Sequence, residues 1–70
     1  MPYINVKMTH EDGGATKEQK EKLIVGITKL FSDIFGRGDK SAVVTIDELS
    51  SDNYGIGGKS ISQIRDNNKI

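Results

Sequence analysis

From Tyr3 to Met8 the chain reads YINVKM, and its positions alternate: Ile4, Val6 and Met8 fall on one side, Tyr3, Asn5 and Lys7 on the other. A period of two predicts a half-buried strand. The following THEDGGA sets Gly13-Gly14 among polar residues and predicts a loop. Thr16-Lys17-Glu18-Gln19 then fits the S/T-x-x-E/Q capping box, in which the Thr16 hydroxyl and the Gln19 amide satisfy opposite backbone N–H groups. From there the period lengthens. Leu23, Ile24, Ile27, Leu30, Phe31, Ile34 and Phe35 recur at steps of three and four, with Lys20, Glu21, Lys22, Lys29 and Asp33 largely on the other faces. This predicts one amphipathic helix of about five turns. Gly36 suits the left-handed position just past a helix end, and Arg37 and Lys40 lie near the negative end of its dipole.

AVVTIDEL, Ala42 to Leu49, is rich in β-branched residues, and the run Val43-Val44-Thr45-Ile46 lacks clean alternation, as in a strand covered on both faces. Strand, helix and strand in this order predict a βαβ unit with parallel strands and a right-handed crossover. SSDNYGIGG predicts a turn, and KSISQIR offers Ile61 and Ile64 to a short strand or helical turn. The expected architecture is α+β: a single domain over residues 2–65 with a C-terminal hairpin or turn, followed by a frayed tail over 66–70.

Seventy residues make one small domain that buries only about 60% of the surface its unfolded chain exposes. Disulfides and metals usually compensate, but the chain has no cysteine and one histidine, His10. Two strands and one helix also leave a sheet face and both sheet edges open. Self-association is the remaining route, and the simplest partner is another copy of the chain. Ten basic residues balance ten acidic ones, so no global field draws the chain to nucleic acid or to an anionic membrane. No window approaches the roughly 20 apolar residues of a membrane span, and MPYINVKMTH lacks a signal core. A cytoplasmic location is expected, and the absence of cysteine fits a reducing compartment.

The stretch NYGIGGKS, Asn53 to Ser60, invites a nucleotide-binding reading. Against G-x-x-x-x-G-K-[ST] it aligns Gly58-Lys59-Ser60 but has Asn53 where glycine is required, and no long helix can follow. G-x-G-x-x-G fails at Ser60. The stretch reads as a turn or hairpin. Asp47 and Glu48, adjacent in a strand, point to opposite faces and read as an interfacial or solvated charge pair. His10 lacks a second histidine or a cysteine for a tetrahedral metal site, and Ser50-Ser51 has no histidine near it in sequence. Pro2 is the other unusual residue. Removal of Met1 would give it a free secondary amine, a base no internal residue can supply, although proline in second place also simply begins an edge strand.

Pro2 opening an alternating strand, EQKEKLI at the helix start, VVTIDEL and the NYGIGG turn together resemble the 4-oxalocrotonate tautomerase family, also called 2-hydroxymuconate tautomerases, from Pro2 to about Arg65. The resemblance implies a βαβ subunit that pairs into four-stranded sheets and assembles as a trimer of dimers, usually a hexamer. It implies a cofactor-free isomerase that converts a small 2-hydroxydienoate or enol acid to its keto form. Pro2 would be the catalytic acid and base, with Tyr54 and Ile56 in the substrate-binding wall and no metal. Members of this family carry an arginine before the helix and another at the start of the second strand to bind substrate carboxylates. Here those places hold Ala15 and Val43, and the HEDGGA loop is about three residues longer. Lys7, Arg37 and Lys40 are available stand-ins, each reading first as a solvated surface charge, and none is assigned to the site. Loss of both arginines opens a second reading, a non-catalytic oligomeric module. A dimeric strand-helix-helix DNA-binding protein is disfavoured by the strand after the helix and by the zero net charge.

Overall fold

The structure is a computed structural model that describes residues 1–67. Strand β1 (Tyr3–Thr9) leads through the loop to helix α1 (Lys17–Phe35), and strand β2 (Val43–Leu49) returns beside β1. The two strands are parallel and in register from Tyr3 opposite Val43 to Thr9 opposite Leu49. A hairpin of β3 (Gly55–Ile56) and β4 (Lys59–Ser60) then runs into helix α2 (Ile61–Asn67). The expected frayed tail begins within α2, and residues 68–70 of it lie outside the described residues.

The alternation of β1 is realised residue by residue: Ile4, Val6 and Met8 are half-buried, Tyr3, Asn5 and Lys7 exposed. Helix α1 starts on the expected capping box. The Thr16 hydroxyl accepts from the Gln19 N–H at 3.0 Å, and the Gln19 side-chain oxygen accepts from the Thr16 N–H at 2.9 Å. Its end is closed by Gly36, whose N–H donates to the Ser32 carbonyl. Leu23, Ile27 and Phe31 form the half-buried stripe of α1, while the inward positions of β2 are Val44, Ile46 and Glu48.

β2 differs from expectation. Thr45 and Asp47 are exposed, so only one sheet face is covered. A lone helix covers a lone face; on the open one Asn5 donates to Thr45 Oγ1 at 2.6 Å and to Asp47 Oδ2 at 2.9 Å. Among the described residues no hydrophobic side chain is fully buried, and Leu30, Ile34 and Phe35 are each more than half exposed. The radius of gyration is 16.3 Å, against about 11 Å for a compact chain of this length. The accessible surface is 5453 Å², against roughly 4,300 Å² for a compact chain of this size. The difference of about 1,100 Å² exceeds the roughly 800 Å² that one partner buries in a standard interface. No helix among the described residues is long and apolar enough to cross a membrane.

Candidate active site

Pro2 stands at the open end of the sheet. Its carbonyl accepts from the Val43 N–H at 2.8 Å, which extends the parallel ladder by one step and fixes the backbone beside the first residue of β2. The proline ring is half-buried against the connection between α1 and β2. Gly38, at φ +90°, makes that approach possible: a Cβ there would stand 3.1 Å from Pro2 Cγ and 3.0 Å from Phe31 Cδ1. Only glycine adopts this backbone without penalty and leaves room for both rings. In the 70-residue chain the Pro2 nitrogen is a tertiary amide joined to Met1. Hydrolysis of that one bond turns it into a secondary amine beside Gly38 and the Phe31 ring.

Tyr54 and Ile56 are elsewhere. β1 and β2 run in the same direction, so Pro2 and Val43 mark one end of the sheet and Thr9 and Leu49 the other. Six strand steps separate these ends by about 20 Å. The hairpin follows Leu49 and stays at the far end, where the Tyr54 carbonyl accepts from the Ile61 N–H at 3.0 Å. Tyr54 is half-buried in a shallow groove with Asn53, Gly55, Lys59 and Ser60, and Ile56 is 70% exposed. Within one subunit the structure therefore brings Tyr54 and Ile56 near each other but does not bring either to Pro2.

The phosphate-loop resemblance dissolves on inspection of the same segment. Gly57 and Gly58, at φ +63° and +86°, form the two-residue turn between β3 and β4, the mirror-image geometry that suits hairpin twist. Ser60 caps α2: its hydroxyl accepts from the Gln63 N–H at 3.2 Å, and its N–H donates to Gln63 Oε1 at 2.9 Å. This second capping box was readable as Ser60-Ile61-Ser62-Gln63, an S-x-x-Q spacing identical to that at Thr16. A further pin joins the Ser51 and Ser62 hydroxyls at 2.7 Å.

The long loop between β1 and α1 is held by Glu48. Its carboxylate is only 14% exposed, lies 3.1 Å from Lys20 Nζ and 3.4 Å from His10 Nδ1, and accepts from the Ala15 N–H at 3.0 Å. The Ala15 N–H first, and the Lys20 ammonium next, hold this carboxyl below the usual carboxylate range. Asp47 faces the other way, towards Asn5, so the two acids share no site. Arg65 of α2 reaches Glu11 at 3.0 Å, and this bond lowers the Glu11 carboxyl and raises the Arg65 guanidinium. Ala15 thus occupies a braced loop without a charge of its own, and Val43 meets Pro2 through its backbone N–H.

The comparisons agree with this geometry. The family model described as tautomerase enzyme matches residues 2–64. A probable tautomerase of Helicobacter pylori (strain J99) is 47% identical over 68 residues, covering 97% of this chain and 100% of that one. The 2-hydroxymuconate tautomerase of Bacillus subtilis (strain 168) is 36% identical over 64 residues, covering 91% and 98%. The crystal structure of DmpI from Helicobacter pylori superposes with a TM-score of 0.76 at 45% identity, covering 93% of this chain and 97% of that one. With its parallel βαβ core, its C-terminal hairpin and a proline at the mouth of the sheet, the chain belongs to the 4-oxalocrotonate tautomerase family of tautomerase enzymes.

Proposed function

We propose that the chain, once Met1 is removed, is a cofactor-free keto–enol tautomerase of the cytoplasm that acts on a small 2-hydroxydienoate or enol acid, with Pro2 as general acid and base. The observation that carries this reading is the seat of Pro2, half-buried beside Gly38 and Phe31 with its carbonyl bonded to the Val43 N–H. A free α-amino group titrates at about 7.7–8.0, and apolar surroundings disfavour its charged form. Both effects leave a neutral base near working pH, where a proton shuttle is most effective. The nitrogen takes the enol proton and returns a proton to the substrate carbon, so no external oxidant or reductant enters.

The pocket is completed by a second copy. Tyr54 and Ile56 lie about 20 Å from Pro2 along the strand direction, and Ile56 is 70% exposed. Pairing of subunits brings one hairpin to the neighbour's proline, and the uncovered sheet face, edges and α1 side chains supply the contact area. A hexamer built as a trimer of dimers satisfies all three surfaces.

The test is intact mass together with an assay. Mass spectrometry should show Met1 absent, and ketonisation of an arylenolpyruvate followed by ultraviolet absorbance should fall at least about 100-fold in Pro2→Ala, while sedimentation shows the same assembly. Equal turnover by Pro2→Ala refutes the proposal. Ala15 and Val43, where cations would clamp a dicarboxylate, favour the second reading of a non-catalytic oligomeric module; a correctly trimmed protein inactive on every enol acid would establish it.

A further inference from the structure

Arg37 follows the Gly36 cap and begins the connection that carries Gly38 past Pro2. Its guanidinium carbon lies 5.5 Å from the centre of the Phe31 ring and 5.8 Å from that of Phe35. The two rings, 4.6 Å apart and tilted by 34°, form one aromatic shelf. Phe31 is also the ring that shares the Gly38 contact with Pro2. Arg37 therefore stands one side chain away from the proline.

Its charge is uncommitted. Among the described residues Lys17, Lys20, Lys29 and Arg65 are engaged with Glu21, Glu48, Asp33 and Glu11; Arg37, like Lys7, Lys22, Lys40 and Lys59, makes no ion pair, and what sets it apart is its place over the Phe31 and Phe35 rings beside the Gly38 contact. A guanidinium stacked on rings keeps its in-plane N–H donors free and gives up less side-chain freedom when it binds an anion. Those donors match a carboxylate in the paired geometry that a lysine cannot reproduce. Val43 cannot serve here, since its side chain is apolar and its N–H is already donated to the Pro2 carbonyl.

We propose that Arg37, held on Phe31 and Phe35, is the specificity-determining cation of the Pro2 pocket and binds the carboxylate of a small enol or 2-oxo acid. This rests on the reading of Pro2 as the acid and base, and it names the group that recognises the substrate. One cation on this shelf pairs with one carboxylate.

The experiment uses the trimmed, assembled protein with an arylenolpyruvate and its methyl ester. Arg37→Ala should raise KM for the acid about tenfold, keep kcat for the acid within about twofold, and shrink the acid-to-ester ratio of kcat/KM by about tenfold. Arg37→Lys should recover part of that ratio. A role confined to holding the rings would move acid and ester together, and an unchanged ratio in Arg37→Ala overturns the proposal. Binding of phenylpyruvate, followed by NMR titration, provides a readout independent of turnover. Failure of the Pro2 reading leaves the carboxylate affinity dependent on Arg37, whereas equal affinity in wild type and Arg37→Ala refutes the role of Arg37 even in an active enzyme.

Discussion

Replacing Gly38 by alanine isolates the contact on which the candidate site depends. Two costs arise. At φ +90° a Cβ-bearing residue is outside its favoured region, which costs about 1–2 kcal/mol. The new methyl also meets Phe31 Cδ1 and Cε1 at 3.0 and 3.1 Å and Pro2 Cγ at 3.1 Å, so the rings must retreat by a few tenths of an ångström; overfilling of this kind costs about 1–3 kcal/mol. Alanine recovers about 0.4–1 kcal/mol by restricting the unfolded chain. Gly36→Ala is the control, because φ is +70° there and nothing lies within 4 Å of its Cβ. The control should lose about 1 kcal/mol and Gly38→Ala about 2–3 kcal/mol. At about 4–8 °C per kcal/mol, thermal melts at equal protein concentration separate them. Gly38→Ala should also lose about tenfold in kcat/KM, since small displacements of a reacting group are expensive, while Gly36→Ala should not. Equal melting and equal activity in the two variants would refute the placement of Pro2 against Gly38 and Phe31.

Three further outcomes are expected. Thr16→Ala removes one half of the first capping box and should destabilise the protein by about 1 kcal/mol, read as a melt lowered by about 4–8 °C. Glu48 is held below the usual carboxylate range, so folding favours its ionised form; its contribution is complete above the ordinary glutamate pKa and disappears as pH falls through the lower folded-state value. The melting difference between wild type and Glu48→Gln should therefore be constant from neutral pH down to about 5 and close in acid below about 4, and a difference unchanged at pH 3 would contradict the brace. Leu30 and Ile34 are 62% and 66% exposed, and burial of each against another copy contributes about 1–2 kcal/mol. The double variant Leu30→Asp/Ile34→Asp should sediment as smaller species at micromolar concentration.

Most of the fold was legible because local chemistry and period agreed. The alternation at Tyr3–Met8, the box at Thr16 and the three-and-four spacing through Phe35 each specify one element, and each formed where expected. The glycines of NYGIGGKS were legible as a turn once Asn53 broke the phosphate template. What was not legible depends on distance through space. The alternation of β2 was obscured by Val43-Val44, while Thr45 and Asp47 further along face away from α1, because a single helix covers a single side of the subunit's sheet. The separation of Pro2 from Tyr54 follows from the parallel pairing and not from either motif. Arg37 read as a solvated charge, since nothing in the spacing shows that Phe31 and Phe35, one helical turn apart, present their faces to it.

That no hydrophobic side chain among the described residues is fully buried also sets how the chain must behave in a cell. If assembly supplies the missing cover, as proposed, its folded population is governed by mass action, because the free subunit has no fully buried hydrophobic core with which to offset its conformational entropy. Dosage then acts as a stabiliser: a highly expressed chain is protected, while a scarce one is exposed to proteases however sound its sequence. In the proposed assembly, two versions differing only at the hairpin would also co-assemble, so a defect in one would spread to its neighbours' pockets in proportion to its abundance.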